Sequence, residues 1–126
     1  MKANEFRIGN LVNRLGEQTI IESIGVYGDS YGIIGTPIAR AITTNQIEPI
    51  LLTEQWLLKL GFYYSDDDNE YLELPVFAGF KLHADSSDNF STVTCIIANK
   101  EKVFIHIHKI QNFYYEHSDQ ELTIKL

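Results

Sequence analysis

Four glycines recur every three or four residues, at positions 25, 28, 32 and 35, within a stretch of aromatic and aliphatic side chains. A helix loses roughly 1 kcal/mol of stability at each interior glycine, so this stretch predicts short strands joined by tight turns. The glycines fit neither G-x-G-x-x-G nor the P-loop pattern, because no Lys-Ser or Lys-Thr pair and no long helix follows them. Together with the apolar residues on both sides of Gly16, they predict an SH3-like small β-barrel over residues 1–52.

The segment TEQWLLKLGF, residues 53–62, carries the signals of a short helix. Thr53 is suited to the N-cap, and Glu54 places negative charge at the positive end of the helix dipole. Gly61 suits the left-handed conformation that ends a helix. The pattern predicts a helix over 53–60, with Trp56 on its inward face and buried where the two halves of the chain meet.

After this helix, apolar and polar residues alternate in short segments that are separated by polar loops. This alternation predicts an antiparallel sheet whose strands lie at 62–64, 71–74, 76–83, 92–98 and 103–107. The period then changes, and the apolar or aromatic side chains three and four apart are Ile110, Phe113, Tyr114 and His117. This spacing predicts a C-terminal helix with one face on the sheet. The predicted fold class is α+β, with the barrel at 1–52 packed against a second part at 53–126.

Composition excludes several classes of protein. A chain of 126 residues can bury a sizeable core without staples, and its single cysteine rules out an internal disulfide framework and a multi-cysteine zinc site. No apolar run approaches the roughly 18 residues of a membrane helix, and the first ten residues lack the apolar region of a secretory signal. We therefore expect a cytoplasmic protein with no membrane partner.

The chain shows no arrangement of residues typical of catalysis or of cofactor binding. Cys95 lies in the middle of a predicted strand with no neighbouring base, which favours a small buried core residue over a nucleophile. The acidic run Asp66–Glu70 places Gly and Glu at the wrong positions for an EF-hand, so it is interpreted as a solvated turn. We expect a protein that is not an enzyme, with no catalytic residue, no cofactor and no metal site.

One alternative is a metal-dependent hydrolase built on His106 and His108. Two histidines that are two residues apart in a strand project to the same face and can supply two metal ligands. The change from strand to helix is predicted to fall between them, which would break their alignment. A polar outer strand face is the favoured interpretation.

The formal charge of −7 argues against direct binding of nucleic acid, since the ten basic residues are dispersed and counterion release would be weak. The same charge suggests another alternative, an acidic protein that occupies a nucleic-acid-binding partner as a DNA mimic. Such a protein needs carboxylates arrayed along one face.

The C-terminal helix is the predicted partner surface. Successive helix positions are 100° apart, so Phe113, Tyr114 and Tyr115 cannot all enter one narrow buried stripe. Phe113 fits the inward face, while Tyr115 and the segment around Gln111 and Asn112 are expected to face out. The candidate surface is therefore Phe113, Tyr115, Gln111 and Asn112, and its expected partner is a protein or a second copy of the chain.

Three segments of the chain are similar to segments of a known protein family. They are NEFRIGNLVN at 4–13, IEPILLTEQWLLKLGF at 47–62 and IHKIQNFYYEHSDQELTI at 107–124. They resemble, in order, the start, centre and end of a family of small uncharacterised proteins from prophages and mobile elements of intestinal anaerobic bacteria. The resemblance covers about a third of the chain and departs from the family at His117-Ser118-Asp119, where the family has Leu-Thr-Gly. It implies a bacterial or phage origin and no particular activity. The leading interpretation is a non-enzymatic binding or adaptor protein of a mobile element.

Overall fold

A computed structural model describes residues 7–14, 16–21, 23–27, 31–35, 42–43, 47–76 and 80–122. The strands in these ranges are β1 (Leu11–Arg14), β2 (Glu17–Ile20), β3 (Ser23–Tyr27), β4 (Tyr31–Gly35), β5 (Ile42–Thr43), β6 (Ile47–Glu48), β7 (Tyr63–Tyr64), β8 (Tyr71–Pro75), β9 (Lys81–Asp85), β10 (Val93–Ile97) and β11 (Lys100–Phe104). The α-helices are α1 (Glu54–Lys59) and α2 (Ile107–Ser118), and a short 3₁₀ helix spans Ser86–Asp88. The α+β class, with antiparallel sheets and a C-terminal helix, is confirmed.

The chain divides into two compact units. The first comprises Met1–Ile50 and Ile107–Asn112, and the second comprises Leu51–His106 and Phe113–Leu126. The strands of the first unit form one sheet in the order β2-β1-β6 and another in the order β3-β4-β5. Among the described residues no strand pairing joins these two sheets, and the SH3-like barrel over 1–52 stays a prediction.

Strands β3 and β4 occupy the glycine-rich stretch and pair from Ser23↔Gly35 to Tyr27↔Tyr31. Three of the four glycines lie within these strands, where a helix would have been disfavoured. The remaining one, Gly28, lies outside the described residues.

The helix predicted at 53–60 is confirmed, together with its caps. The Thr53 hydroxyl accepts a hydrogen bond from the Trp56 backbone N–H at 3.2 Å. At the other end the Phe62 N–H donates to the Leu57 carbonyl and the Gly61 N–H donates to the Leu58 carbonyl, which is the Schellman pattern. Gly61 has a φ of 103°, so glycine is used here for its backbone freedom.

The prediction that Trp56 is buried is wrong. Its side chain is half-buried, and Leu57 is the buried residue of α1. Leu57 at 0% exposure and Phe62 at 3% occupy the core side, where the Schellman turn brings them together. The Lys59 ammonium lies over the Trp56 ring, 4.8 Å from its centroid.

The second unit is built on a five-stranded antiparallel sheet in the order β11-β10-β9-β8-β7. The predicted hairpin at 62–64 and 71–74 is present as β7 and β8, and the strand predicted at 92–98 is present as β10. The strand predicted at 76–83 begins only at Lys81, with 77–79 outside the described residues. The strand predicted at 103–107 begins earlier, at Lys100, because the turn falls on Ala98 and Asn99.

Alternation along the strands gives this sheet two distinct faces. Leu72, Leu82, Ala84 and Val93 are almost fully buried and define the core face. On the same face Phe104 contacts Phe113 of α2, with ring centroids 5.0 Å apart. The opposite face is called the outer face below. In the described part of the chain no helix is long and apolar enough to cross a membrane.

Candidate protein-binding surface

The outer face is a continuous surface in register across all five strands of the second unit. Its central row is Tyr63, Glu73, His83, Thr94 and Val103, each directly opposite the next. Directly opposed residues of an antiparallel sheet share a face and lie close together, so this row is a single strip of contacting side chains. All five residues of this row lie on strands.

Exposed apolar side chains concentrate at the β10–β11 side of the outer face. Ile96 is 67% exposed, Val103 is 54% exposed and Ile105 is 47% exposed. Ile96 and Val103 are diagonal neighbours, because Thr94 pairs with Val103 and Ile96 pairs with Glu101. Three β-branched side chains thus form one patch, called the Ile96 patch here, that continues the alternation of β11 to Ile105.

A charged and aromatic cluster lies beside this patch on β8 and β9. The Glu73 carboxylate lies 3.4 Å from the Lys81 Nζ and 3.5 Å from the His83 Nδ1. The His83 ring stacks on Tyr71 with centroids 5.3 Å apart and planes inclined by 30°. These contacts link the side chains of β8 and β9 at the centre of the outer face.

The pairing of β9 with β10 is short, and a cavity of about 270 Å³ lies beside it. The two strands are in register at Thr94↔His83. The residues lining the cavity are Phe80, Lys81, His83, Thr94, Cys95 and Ile96. This opening makes part of the outer face concave.

Cys95 is 2% exposed, which confirms the predicted core position. Burial raises the pKa of its thiol above the ordinary value of 9.0, and the charge of Lys102 offsets this only in part. A thiol with a raised pKa is mostly protonated at neutral pH, so it is a poor nucleophile. The geometry therefore assigns Cys95 to packing.

Acidic loops border the outer face at one end. The β7–β8 loop holds Asp66–Glu70, and the Ser86 N–H donates to the Glu70 carbonyl at 2.8 Å, so the β9–β10 loop lies against it. Asp66 accepts hydrogen bonds from the backbone N–H groups of Glu70 and Tyr71, as expected for a turn. In the second loop the Thr92 hydroxyl donates to the Asp88 carboxylate.

The predicted partner surface on α2 is corrected at two positions. Gln111 is 2% exposed and Phe113 is 3% exposed, so neither offers surface to a partner. Tyr115 is 38% exposed, as expected, and Asn112 is half-buried. Whether Tyr115 contacts a partner stays a prediction.

The burial of Gln111 has a physical reason in the first unit. Its Oε1 accepts a hydrogen bond from the Leu11 N–H at 2.8 Å, and its Nε2 donates to the Gly9 carbonyl at 3.3 Å. Asn112 accepts a hydrogen bond from the Asn10 amide at 2.8 Å. Polar side chains predicted to face solvent are instead used to hold α2 against the turn before β1.

His106 and His108 are separated by the start of α2. His106 is in an extended conformation at the N-cap position, while His108 is a helical residue at 0% exposure. The predicted change from strand to helix between them is therefore confirmed. Among the described residues, no three His, Cys, Asp or Glu side chains are grouped so as to hold a metal ion.

The Ile96 patch is the feature that sequence reasoning missed. The signal was present, because residues 103–107 carry apolar side chains at both odd and even positions. Apolar weight on both faces is typical of a strand covered on both sides, so the pattern alone does not reveal which face lies open.

Comparison with known proteins places the chain in no family, since no protein-family model, no curated protein sequence and no solved structure matches it.

Proposed function

We propose that this chain is a non-enzymatic protein-binding or adaptor protein whose interface is the outer face of the second unit. The observation that carries the proposal is the Ile96 patch, in which Ile96, Val103 and Ile105 lie side by side with about half or more of each side chain exposed. Contiguous exposed apolar surface with a polar border is typical of a protein interface.

The composition of the surrounding surface supports the same function. Antiparallel sheets that face water on one side normally carry polar residues there. Here the patch is followed by Thr94 and then by the Glu73, Lys81 and His83 cluster, so an apolar area on β10 and β11 is bordered by a charged area on β8 and β9. A partner that covers the patch would remove apolar surface from water, at about 25 cal/mol per Å².

The experiment compares two matched double variants. Ile96→Thr/Val103→Thr reduces the patch and keeps two β-branched side chains, which strands favour. Ile8→Thr/Ile20→Thr is the control, because Ile8 and Ile20 are 56% and 41% exposed and belong to the first unit. Each protein is immobilised, proteins captured from a bacterial lysate are identified, and the affinity of each captured protein is then measured in purified form.

We expect a partner whose affinity falls at least tenfold for the patch variant and less than twofold for the control. Sedimentation of the same three proteins shows whether that partner is a second copy of the chain. Equal affinities of every captured protein for both variants would overturn the proposal.

The DNA-mimic alternative is favoured by one observation, the two acidic loops that lie together at one end of the outer face. It predicts competition with double-stranded DNA for a DNA-binding protein. A captured partner that has no affinity for DNA would argue against this alternative and leave the adaptor proposal in place.

The resemblance to prophage and mobile-element proteins supports a bacterial or phage origin and a cytoplasmic location. The SH3-like arrangement of 1–52 belongs to the same proposal, and the β1–β2 and β3–β4 hairpins supply four of its strands. Inter-strand amide contacts measured by NMR between the two three-stranded sheets would test it. Their absence in the complete first unit would contradict a barrel.

A further inference from the structure

We infer that the partner of the outer face is a positively charged protein segment that also presents apolar side chains. This inference rests on the proposed function, because it names the chemistry of the partner that would cover the Ile96 patch. It is carried by the charge distribution around that patch.

Most of the excess negative charge of the protein belongs to the sheet of the second unit and its loops. Residues 60–104 contain eight carboxylates and three ammonium groups, a formal charge of −5 out of −7 for the whole chain. The carboxylates are Asp66, Asp67, Asp68, Glu70, Glu73, Asp85, Asp88 and Glu101, and the ammonium groups are those of Lys81, Lys100 and Lys102.

Lys81 is paired with Glu73 and therefore offsets that one carboxylate. Along β11, Glu101 lies opposite Ile96 on the outer face, while Lys100 and Lys102 alternate with it and lie on the other face. The remaining acidic groups lie at the end of the sheet that carries the β7–β8 and β9–β10 loops. The outer face therefore has a negative border on the side of the β7–β8 and β9–β10 loops.

The negative border is continuous with the apolar patch. The Asp88 carboxylate accepts a hydrogen bond from the Thr92 hydroxyl, and Thr92 directly precedes Val93, whose partner in the sheet is Phe104, the neighbour of Ile105. Ile105 is thus the end of the patch that is nearest the acidic loops. A segment lying along Ile96, Val103 and Ile105 reaches these carboxylates without leaving the sheet.

Charge complementarity then selects the partner. A segment with lysine or arginine beside apolar side chains satisfies both parts of the surface, whereas an acidic segment, a nucleic acid or an anionic membrane would be repelled. The carboxylates of the border are exposed, so their contribution to the affinity is expected to fall as the salt concentration rises. The contribution of the apolar patch to the affinity is expected to remain.

The probes are three labelled peptides of equal length: one alternating lysine with leucine, one alternating glutamate with leucine, and one alternating lysine with serine. Binding to the full chain is measured by fluorescence anisotropy at low and high salt. We expect the lysine–leucine peptide to bind and the other two to bind at least tenfold more weakly.

Three variants of the protein test whether the lysine–leucine peptide binds at the patch and its acidic border. Asp67→Asn/Asp68→Asn/Glu70→Gln removes three exposed charges in the β7–β8 loop, and should weaken binding about tenfold at low salt. Ile96→Thr/Val103→Thr should weaken it at both salt concentrations. Glu17→Gln/Glu48→Gln/Glu116→Gln removes the same total charge elsewhere from exposed residues and should change it less than twofold.

Equal binding of the lysine–serine peptide would mean that the carboxylates attract any polycation, and would overturn the inference. Equal binding of the glutamate–leucine peptide would overturn it as well, since the patch would then act without regard to charge. Both results leave the proposed function standing, because that proposal fails only if the patch variant retains the affinity of every captured partner.

Discussion

Gln111 shows how one polar side chain can be essential to a core. It lies at 2% exposure on α2 and satisfies the Leu11 N–H and the Gly9 carbonyl with its two amide atoms. The Gly9 φ of 95° and the hydrogen bond from the Asn10 N–H to the Arg7 carbonyl form the turn that presents these groups. A buried backbone group left without its partner costs more than the hydrogen bond contributes when it is made.

Gln111→Met should therefore lower the free energy of unfolding by about 2 kcal/mol, because methionine keeps the shape and removes both hydrogen bonds. Urea denaturation measures the change. The control is Gln18→Met on β2, where the glutamine is exposed and the expected change is within about 0.5 kcal/mol. Equal effects of the two substitutions would show that the buried amide is not stabilising.

The Cys95 thiol predicts a pH dependence of stability. Its pKa in the folded protein is raised by burial, so the folded state keeps the proton over a range where the unfolded state has lost it. A group whose folded pKa is raised contributes stability that is fully present below the unfolded pKa and is lost as the pH rises through the folded pKa. The contribution should therefore decline above about pH 9.

The measurement is urea unfolding of the natural protein and of Cys95→Ala between pH 7.5 and pH 10.5. The difference in stability between the two should shrink as the pH rises, because only the natural protein loses the thiol contribution. Parallel pH profiles would contradict the burial of the thiol.

At the scale of secondary-structure elements, the C-terminal end of α2 is capped by an unfavourable residue. Asp119 caps the helix with a φ of 58°, and its N–H donates to the Tyr115 carbonyl at 2.9 Å. Aspartate pays a steric cost in this left-handed conformation and places negative charge at the negative end of the helix dipole. Glycine, which the resembled family has here, removes both penalties.

Asp119→Gly should raise the free energy of unfolding by about 1 kcal/mol, as measured by thermal and urea denaturation. Asp119→Asn is the matched variant, since asparagine removes the charge and keeps a side chain that tolerates this conformation. We expect its gain to be smaller. A loss of stability for Asp119→Gly would mean that the aspartate makes a contact that outweighs the strain.

At the scale of the whole molecule, charge is distributed very unevenly. Residues 60–104 carry a formal charge of −5, and all the remaining residues together carry −2. Repulsion among like charges opposes the compact state and is screened by salt. The surface that we propose for binding is therefore expected to cost the free protein some stability.

Neutralising part of this charge tests that expectation. Asp67→Asn/Asp68→Asn/Glu70→Gln should raise the free energy of unfolding by about 0.5–1 kcal/mol at low salt and by less at 0.5 M salt. The control Glu17→Gln/Glu48→Gln/Glu116→Gln should change it less. A gain that is independent of salt would contradict an electrostatic cause.

The sequence by itself determined the features that depend on neighbouring residues. Thr53, Glu54 and Gly61 define both ends of α1 through local hydrogen bonds, and the glycines at 25, 32 and 35 disfavour helix within β3 and β4. The alternation of apolar residues in β8 and β10 predicts strands, and the three- and four-residue spacing in α2 predicts a helix. Both patterns depend only on residues that are close together in the sequence.

Only the tertiary structure decided which of those faces are covered. Gln111 is buried because residues a hundred positions earlier in the chain present the backbone groups that it satisfies, and no local pattern encodes that distance. Trp56 is half-buried because Leu57 and Phe62 take the core side of a helix of six residues. Ile96 and Val103 are exposed because α2 contacts the other face of their sheet through Phe113, and that choice depends on packing between elements rather than on the alternation within one strand.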